Sequence, residues 1–286
     1  MTIHKHLPPI HLHPILLIFI VIAFLTGTFV ELMIILLIVL WHELGHYIAA
    51  KAFKWRIQSI ILWVFGGKMV TDEHGNKSIY EEAVVTIAGP FQHVLIYLLV
   101  SILSIYHVIP PFFIETIIFY NTVILIFNLL PIWPLDGGKL LFLLLTLFFP
   151  YRKAYHTIIM FSMITCIGLI IGQFLFYPFT LSTFLILLFL FMENKTEWKQ
   201  RYYVFMRFLL HRYEGSSTIK SVRAIEVSHH VSLMDVFAQF QRDKKHSIYI
   251  SLPGKNRIAL DENDCLHSYF YDKQYSKTIG EVAVKI

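Results

Sequence analysis

Ile34-Ile35-Leu36-Leu37-Ile38-Val39-Leu40-Trp41-His42-Glu43-Leu44-Gly45-His46-Tyr47-Ile48-Ala49-Ala50 is the stretch on which the fold turns. No turn signal interrupts it before Lys51, so it reads as one apolar helix carrying ionisable side chains at His42, Glu43 and His46. Residues four apart lie on one helical face, which lets His42 and His46 aim imidazole nitrogens at a single metal ion. Glu43, beside the first of them, is positioned to take a proton from an activated water instead of ligating. On a soluble helix the same pattern reads as easily as a solvated face. Inside an apolar segment each ionisable group costs about 2.5–3.5 kcal/mol unless it finds partners, and three together demand a compensating centre.

The rest of the chain has the composition of a membrane protein. Its 286 residues are 56% hydrophobic and only 15% charged, with a mean hydropathy of +0.62. Candidate spans fall at about 14–29, 30–51, 82–107, 112–131, 155–176 and 178–193. Lys5 ahead of the first resembles the start of a signal peptide, but no A-x-A-like cleavage site follows, so the segment is expected to stay as a span. Lys5, the group Lys51, Lys54, Arg56, Lys68 and Lys77, then Arg152 and Lys153, then Lys195, Lys199 and Arg201 alternate along consecutive spans. The turns at Thr26-Gly27-Thr28, Val108 to Pro111 and Tyr177-Pro178 hold no Lys or Arg. Six spans with both termini in the cytoplasm satisfy this pattern. The net charge of +5 then reflects retention of cytoplasmic loops, and direct nucleic-acid binding is not expected. Cys166 and Cys265 show no ligand-like spacing and imply no disulfide framework.

The expected fold class is an α-helical membrane protein of about six spans with a small C-terminal α/β domain. Its boundaries are 1–193 for the membrane body, 194–218 for an amphipathic helix, Tyr202 to Tyr213, with the linker Glu214-Gly215-Ser216-Ser217-Thr218, and 219–286 for the soluble tail. In the tail, Ser221 to Val227 and Ile248 to Leu252 read as strands, and Leu233 to Gln241 as a helix after Ser232. Between the second and third spans, Ile57 to Val70 mixes β-branched and aromatic residues, contains Gly66-Gly67 and ends at His74-Gly75-Asn76. A hairpin there must sit at the interface or line a protected cavity, and its free edge could hold an extended peptide.

Two histidines leave a catalytic zinc one protein ligand short. Asp136 is the best candidate, an isolated acid in Pro131-Ile132-Trp133-Pro134-Leu135-Asp136-Gly137-Gly138-Lys139, where prolines and glycines break the helix. The competing reading is an N-cap for the helix that follows. Asn128 could hydrogen-bond the substrate backbone or the polarised carbonyl oxygen, or make a polar contact between helices. His93 reads as packing glue or an interface residue ahead of a partner to a ligand, and stays outside the metal set. His4, His6, His11 and His13 read as interface residues.

His42-Glu43-Leu44-Gly45-His46 in one span, with Asn128-Leu129-Leu130-Pro131 and Pro134-Leu135-Asp136-Gly137-Gly138 in another, resembles the site-2 protease family of intramembrane zinc metalloproteases. The resemblance covers the body through about residue 150. It implies a zinc metalloendopeptidase with one Zn2+ per chain, His42, His46 and Asp136 as ligands, Glu43 as catalytic acid/base, and Asn128 near the active-site loop. The longer phrase Phe127 to Leu140 resembles the sporulation branch of that family, found in endospore formers. That likeness implies cleavage of the membrane-associated proprotein of sigma factor K in the mother-cell membrane around the forespore. It also implies a CBS-type tail sensing ATP and restraint by inhibitory membrane proteins. Only one such unit is visible, about Ser221 to Ile286, and these units work in pairs, which implies a second subunit such as another copy of the chain. Two other classes stay open on the residues alone. A membrane metal transporter or sensor with a nucleotide-responsive tail also needs buried ligands, though not Glu43 as a non-ligand, and a non-catalytic membrane regulator would carry the motif without its chemistry.

Overall fold

The computed structural model describes residues 10–12, 14–63, 66–71, 75, 77–176, 179–215, 221–251 and 257–284. The expectations for Lys5, His4, His6 and His13, for the Tyr177-Pro178 turn, and for Ser216-Ser217-Thr218 lie outside them, as do His74, Asn76 and Leu252. The chain forms two compact units, Met1–His74 with Tyr80–Leu140, and Gly75–Ile79 with Leu141–Ile286.

In the first unit, β1 (Ile10–Leu12) leads into α1 (Pro14–Thr26) and α2 (Phe29–Ala52). Gly27, at φ +77°, makes the reversal between the helices. The hairpin β2 (Ile57–Trp63) and β3 (Gly66–Thr71) follows, then α3 (Ile79–Ile105), α4 (Pro111–Asn128) and α5 (Asp136–Phe148), whose first turns complete the unit. The sheet order is β1-β2-β3, with β1 parallel and β3 antiparallel to β2. Among the described residues β3 is paired on one side only. Two apolar clusters hold α2 at the centre. Val39, Tyr47 and Ala50 pack with Leu16, Ile60, Leu62, Met69 and Val85, while Ile38 packs with Ile96 and Val100 and with Ile114 and Ile117 of α4.

The outward faces are apolar as well. Leu98, Leu99 and Ile102 on α3 and Phe112 and Phe119 on α4 are exposed, which suits hydrocarbon as the surrounding solvent. Four helices among the described residues are long and apolar enough to cross a bilayer: α2, α3, α4 and α6 (Tyr151–Phe176). The other two expected spans take different forms. The first is the 13-residue α1, about 20 Å long against a hydrocarbon core of about 30 Å. The stretch expected as the sixth falls on the front of α7 (Leu181–Tyr213), a single 33-residue helix outside those four. Its i,i+4 ladder runs on through the charges that begin at Glu193, so the expected amphipathic helix is its continuation and not a separate element.

In the second unit α6 and α7 pack side by side, with Tyr151 stacked on Phe208 at 4.0 Å. The tail runs β4 (Ser221–Ser228), α8 (Leu233–Phe237), β5 (Lys244–Ser251), β6 (Arg257–Asp261), α9 (Glu262–Phe270) and α10 (Ile279–Ala283). β4 and β5 pair in parallel, β5 and β6 antiparallel. The helix expected to reach Gln241 stops at Phe237, and β6, α9 and α10 were not among the expected elements. Val236, Phe237, Phe240, Ile248, Ile250, Leu266 and Ile279 form a fully buried core. The short loop ahead of α3 belongs here too, since Arg242 donates to the Lys77 carbonyl and Asp243 accepts from the Ile79 amide.

A buried polar network fastens the tail to α7. The Arg212 guanidinium forks onto both oxygens of Glu262 and reaches the carbonyls of Gln241 and Lys244. His246 donates from Nδ1 to Glu262 at 2.9 Å and accepts the Gln241 amide at Nε2, which makes it a neutral imidazole. Burial pushes its pKa below the ordinary 6.5. Burial alone would raise the Glu262 carboxyl, but the bonds from His246 and Arg212 carry it below the ordinary 4.5. Both shifts act in one direction. Unfolding lets His246 bind a proton as pH falls through 6.5, and the contribution of Glu262 is lost as pH falls below 4.5 toward its folded value. Tail stability in the purified full-length protein is therefore expected to hold above about pH 6.5 and to decline below it, read as increasing tail proteolysis between about pH 7.5 and pH 5.5. Equal resistance at both values would contradict the account.

Candidate active site

The HExxH stretch occupies the last turns of α2, where one face meets α3 and the N-terminus of α5. His42, Glu43 and His46 are buried at 3–5% exposure, although Ile48 and Trp41 beside them face outward. Glycines set the close approach. A Cβ at Gly89 of α3 would fall on the His46 ring and within 2.8 Å of His42 Cε1, and one at Gly45 would strike Ala88. Position 67 of β3 likewise admits no side chain, since a Cβ there would lie 2.7 Å from Glu43 Cδ. The hairpin therefore passes directly over the Glu43 carboxylate.

Asp136 is brought in by the turn after α4. Gly137 and Gly138 press against the backbone of Leu129, Leu130 and Ile132, and Asp136 opens α5 as its first residue. Its Oδ2 lies 3.1 Å from Nε2 of both histidines, whose Nε2 atoms are 3.0 Å apart. Oδ1 instead receives Lys139 Nζ at 3.1 Å, one turn along α5. The lysine thereby leaves a single carboxylate oxygen facing the imidazoles. Asp136 is the first residue inside the helix and its carboxylate oxygens go to the histidines and to Lys139, so the geometry favours the ligand reading over the cap.

The hydrogen bonds behind the triad decide what its atoms present. His46 donates from Nδ1 to the Val85 carbonyl at 2.7 Å, which leaves a lone pair on Nε2. His93 donates from Nδ1 to Asn121 Oδ1 at 2.7 Å, and Asn121 returns a bond from its amide to the His93 carbonyl. His93 Nε2 therefore accepts from His42 Nδ1 at 3.0 Å, and His42 also turns a lone pair inward. Two nitrogen lone pairs and a carboxylate oxygen within 3.1 Å repel one another unless a cation lies between them. A tetrahedron whose corners lie about 2.0–2.1 Å from its centre, as zinc requires, has edges of about 3.3–3.4 Å, so the three atoms need to spread by only about 0.3 Å to form one of its faces. The donor set fits zinc. Among the described residues no hydrogen bond holds the Glu43 carboxylate, so it remains available to a water or a substrate.

The structure thus brings together His42, Glu43, His46 and Asp136. The Asn128 amide donates to Ile124 O on its own helix at 3.1 Å. His93, read from sequence as packing glue or an interface residue, is fully buried and does two things, joining α3 to α4 and holding a histidine of the triad. Asn121 and Lys139 went unnoticed. Asn121 carried the same signal as Asn128, an amide within an apolar run; Lys139 stood three residues from Asp136. His11, on β1, is exposed.

Comparison with known proteins gives these features a family. Residues 30–113 and 104–170 match peptidase family M50. The chain is 40% identical over 276 residues to stage IV sporulation protein FB of Bacillus subtilis, covering 96% of this chain and 95% of that protein. A zinc metalloprotease of Methanocaldococcus jannaschii is 30% identical over 158 residues, 51% of this chain and 45% of its own length. The solved site-2 protease from Methanocaldococcus jannaschii superposes with a TM-score of 0.55 over 68% of this chain and 93% of its own, at 24% identity, a likeness of fold. The apolar helices and buried donor set agree with these relatives, and the chain belongs to peptidase family M50, the site-2 proteases, as an integral-membrane zinc metalloprotease.

Proposed function

We propose that the chain hydrolyses a peptide bond of a membrane-associated proprotein near the cytoplasmic face, with zinc held by His42, His46 and Asp136 and with Glu43 as general acid/base. The observation that carries this reading is the convergence of three donor atoms within 3.1 Å beside a buried carboxylate that is not one of them. A transporter or sensor has no use for that fourth group.

When bound, zinc supplies Lewis acidity, lowering the pKa of water toward about 7 and polarising the scissile carbonyl. Glu43 takes the proton from the attacking water and returns it to the leaving amine. Lys139 holds Asp136 in one orientation, and the Val85 carbonyl and the Asn121–His93 relay do the same for the two imidazoles. The one-sided edge of β3 supports an extended substrate strand passing over Glu43. The Asn128 amide, with one N–H on the Ile124 carbonyl, has a second N–H that a developing oxyanion could accept.

His46 stands five residues, about one and a half turns, before Lys51, so the alternation of basic loops puts the site toward the cytoplasm with both termini on that side. The likeness to the sporulation protein favours the proprotein of sigma factor K as substrate, the mother-cell membrane as location and inhibitory membrane proteins as partners. The β4-α8-β5-β6-α9 order supports a CBS-type tail over 219–286, joined through 194–218 to a membrane domain over 1–193. Nucleotide sensing would then need a second such unit, as in a homo-oligomer.

Glu43→Gln is expected to keep stoichiometric zinc and to lower cleavage of a co-expressed proprotein by about 10²–10⁴-fold; wild-type turnover in that variant refutes the role. His93→Ala is expected to weaken zinc binding by about 10–100-fold in competition with a chelator. Unchanged affinity would reduce His93 to a packing residue while leaving the ligand set standing.

A further inference from the structure

A second polar site lies between α6 and α7, in the unit that carries the tail. Pairings of Tyr151 with Phe208 and of His156 with Trp198 run in opposite directions along the chain, so the two helices are antiparallel and their charged ends meet. There Arg152, His156, Lys199, Arg201, Tyr202 and Phe205 line a cavity of about 190 Å³, roughly six water volumes.

The cations in it are held by aromatic rings and backbone, and not by acids. Arg201 lies 4.4 Å over the Trp198 ring and donates to the Trp198 carbonyl at 2.6 Å. Arg152 lies 5.7 Å over Phe205, and the His156 ring is 5.4 Å from Trp198. The nearby carboxylate of Glu197 accepts the Tyr155 hydroxyl instead. Among the described residues Arg152, Lys199 and Arg201 form no ion pair. Three permanent charges line one cavity, none of them ion-paired and two of them half-buried, so they repel each other and an anion entering it would relieve that repulsion. Guanidinium forks match phosphate oxygens in particular.

Position along the helices selects the source of that phosphate. On α6 the exposed residues turn apolar at Met160, Phe161 and Ile164, and on α7 they are apolar at Leu181, Leu185 and Leu188. Trp198 stands where the polarity changes, at the depth where amphipathic rings gather beside lipid headgroups. Retention of cytoplasmic loops asks only for positive charge near that face; it does not ask three cations to surround one cavity.

We propose that this cavity binds the phosphate of an anionic phospholipid of the surrounding bilayer, gripped by Arg152, Lys199 and Arg201. The test is native mass spectrometry of the delipidated full-length protein titrated with phosphatidylglycerol or phosphatidylcholine. Phosphatidylglycerol is expected to be retained in preference. Arg152→Gln with Arg201→Gln should lower its affinity by roughly 30-fold, whereas Lys153→Gln with Lys195→Gln, the same change in net charge outside the cavity, should leave it unaltered. Lys199→Glu, at an exposed side chain, gives a second reading should the arginine pair fail to fold. Displacement of the lipid by millimolar glycerol phosphate would assign the site to a soluble phosphate ester and overturn the lipid source. Equal retention in wild type and cavity variants, or equal loss in the control pair, would overturn the site itself.

Discussion

Three ligand-type groups cannot sit in an apolar interior with their charges and lone pairs unanswered, and the first unit is organised around that constraint. The answer is built outward in layers. His42, His46 and Asp136 face one point, and each has its remaining polar atom occupied, by His93, by the Val85 carbonyl and by Lys139. Glycines at 45 and 89 bring α2 and α3 close enough for those bonds to form, and Gly137 and Gly138 fold the turn that delivers the aspartate. Any bulk added at these places would separate groups that are tolerable only together.

How much of this was legible follows the same physics. A helix of period 3.6 places His42 and His46 on one face without further information, and a lone acid among prolines and glycines marks itself by its cost. The hairpin was readable from Gly66-Gly67 and its β-branched flanks, yet that it crosses Glu43 is a matter of tertiary contact. Asn121 and His93 are partners 28 residues apart on different helices, and no local pattern couples them. In the tail, β6 and α9 owe their existence to packing on β5, so propensity alone did not announce them. The extent of α7 was hidden for another reason. The hydrophobic pattern ends at Met192, while the backbone ladder has no cause to stop before Tyr213.

The two units handle buried charge differently. In the membrane body the donors present lone pairs toward a common centre, an arrangement complete only with a cation. The tail closes its own account internally, with Arg212 and Glu262 paired, His246 neutral between them, and the guanidinium packed near the Phe208 and Phe240 rings. A self-neutralised cluster of that kind costs desolvation and returns geometric definition, because each bond requires the others to be in register.

That definition matters because of what α7 is. An uninterrupted helix of 33 residues, about 50 Å from end to end, resists twisting, and Arg212 bolts its final turn into the tail. The tail consequently has a fixed angular setting about the axis of α7. A single residue inserted between Met192 and Arg212 would turn the tail by about 100° and advance it by about 1.5 Å, while seven would restore the original heading to within about 20°. Phase along that rod, more than its length, sets the heading of the tail about α7.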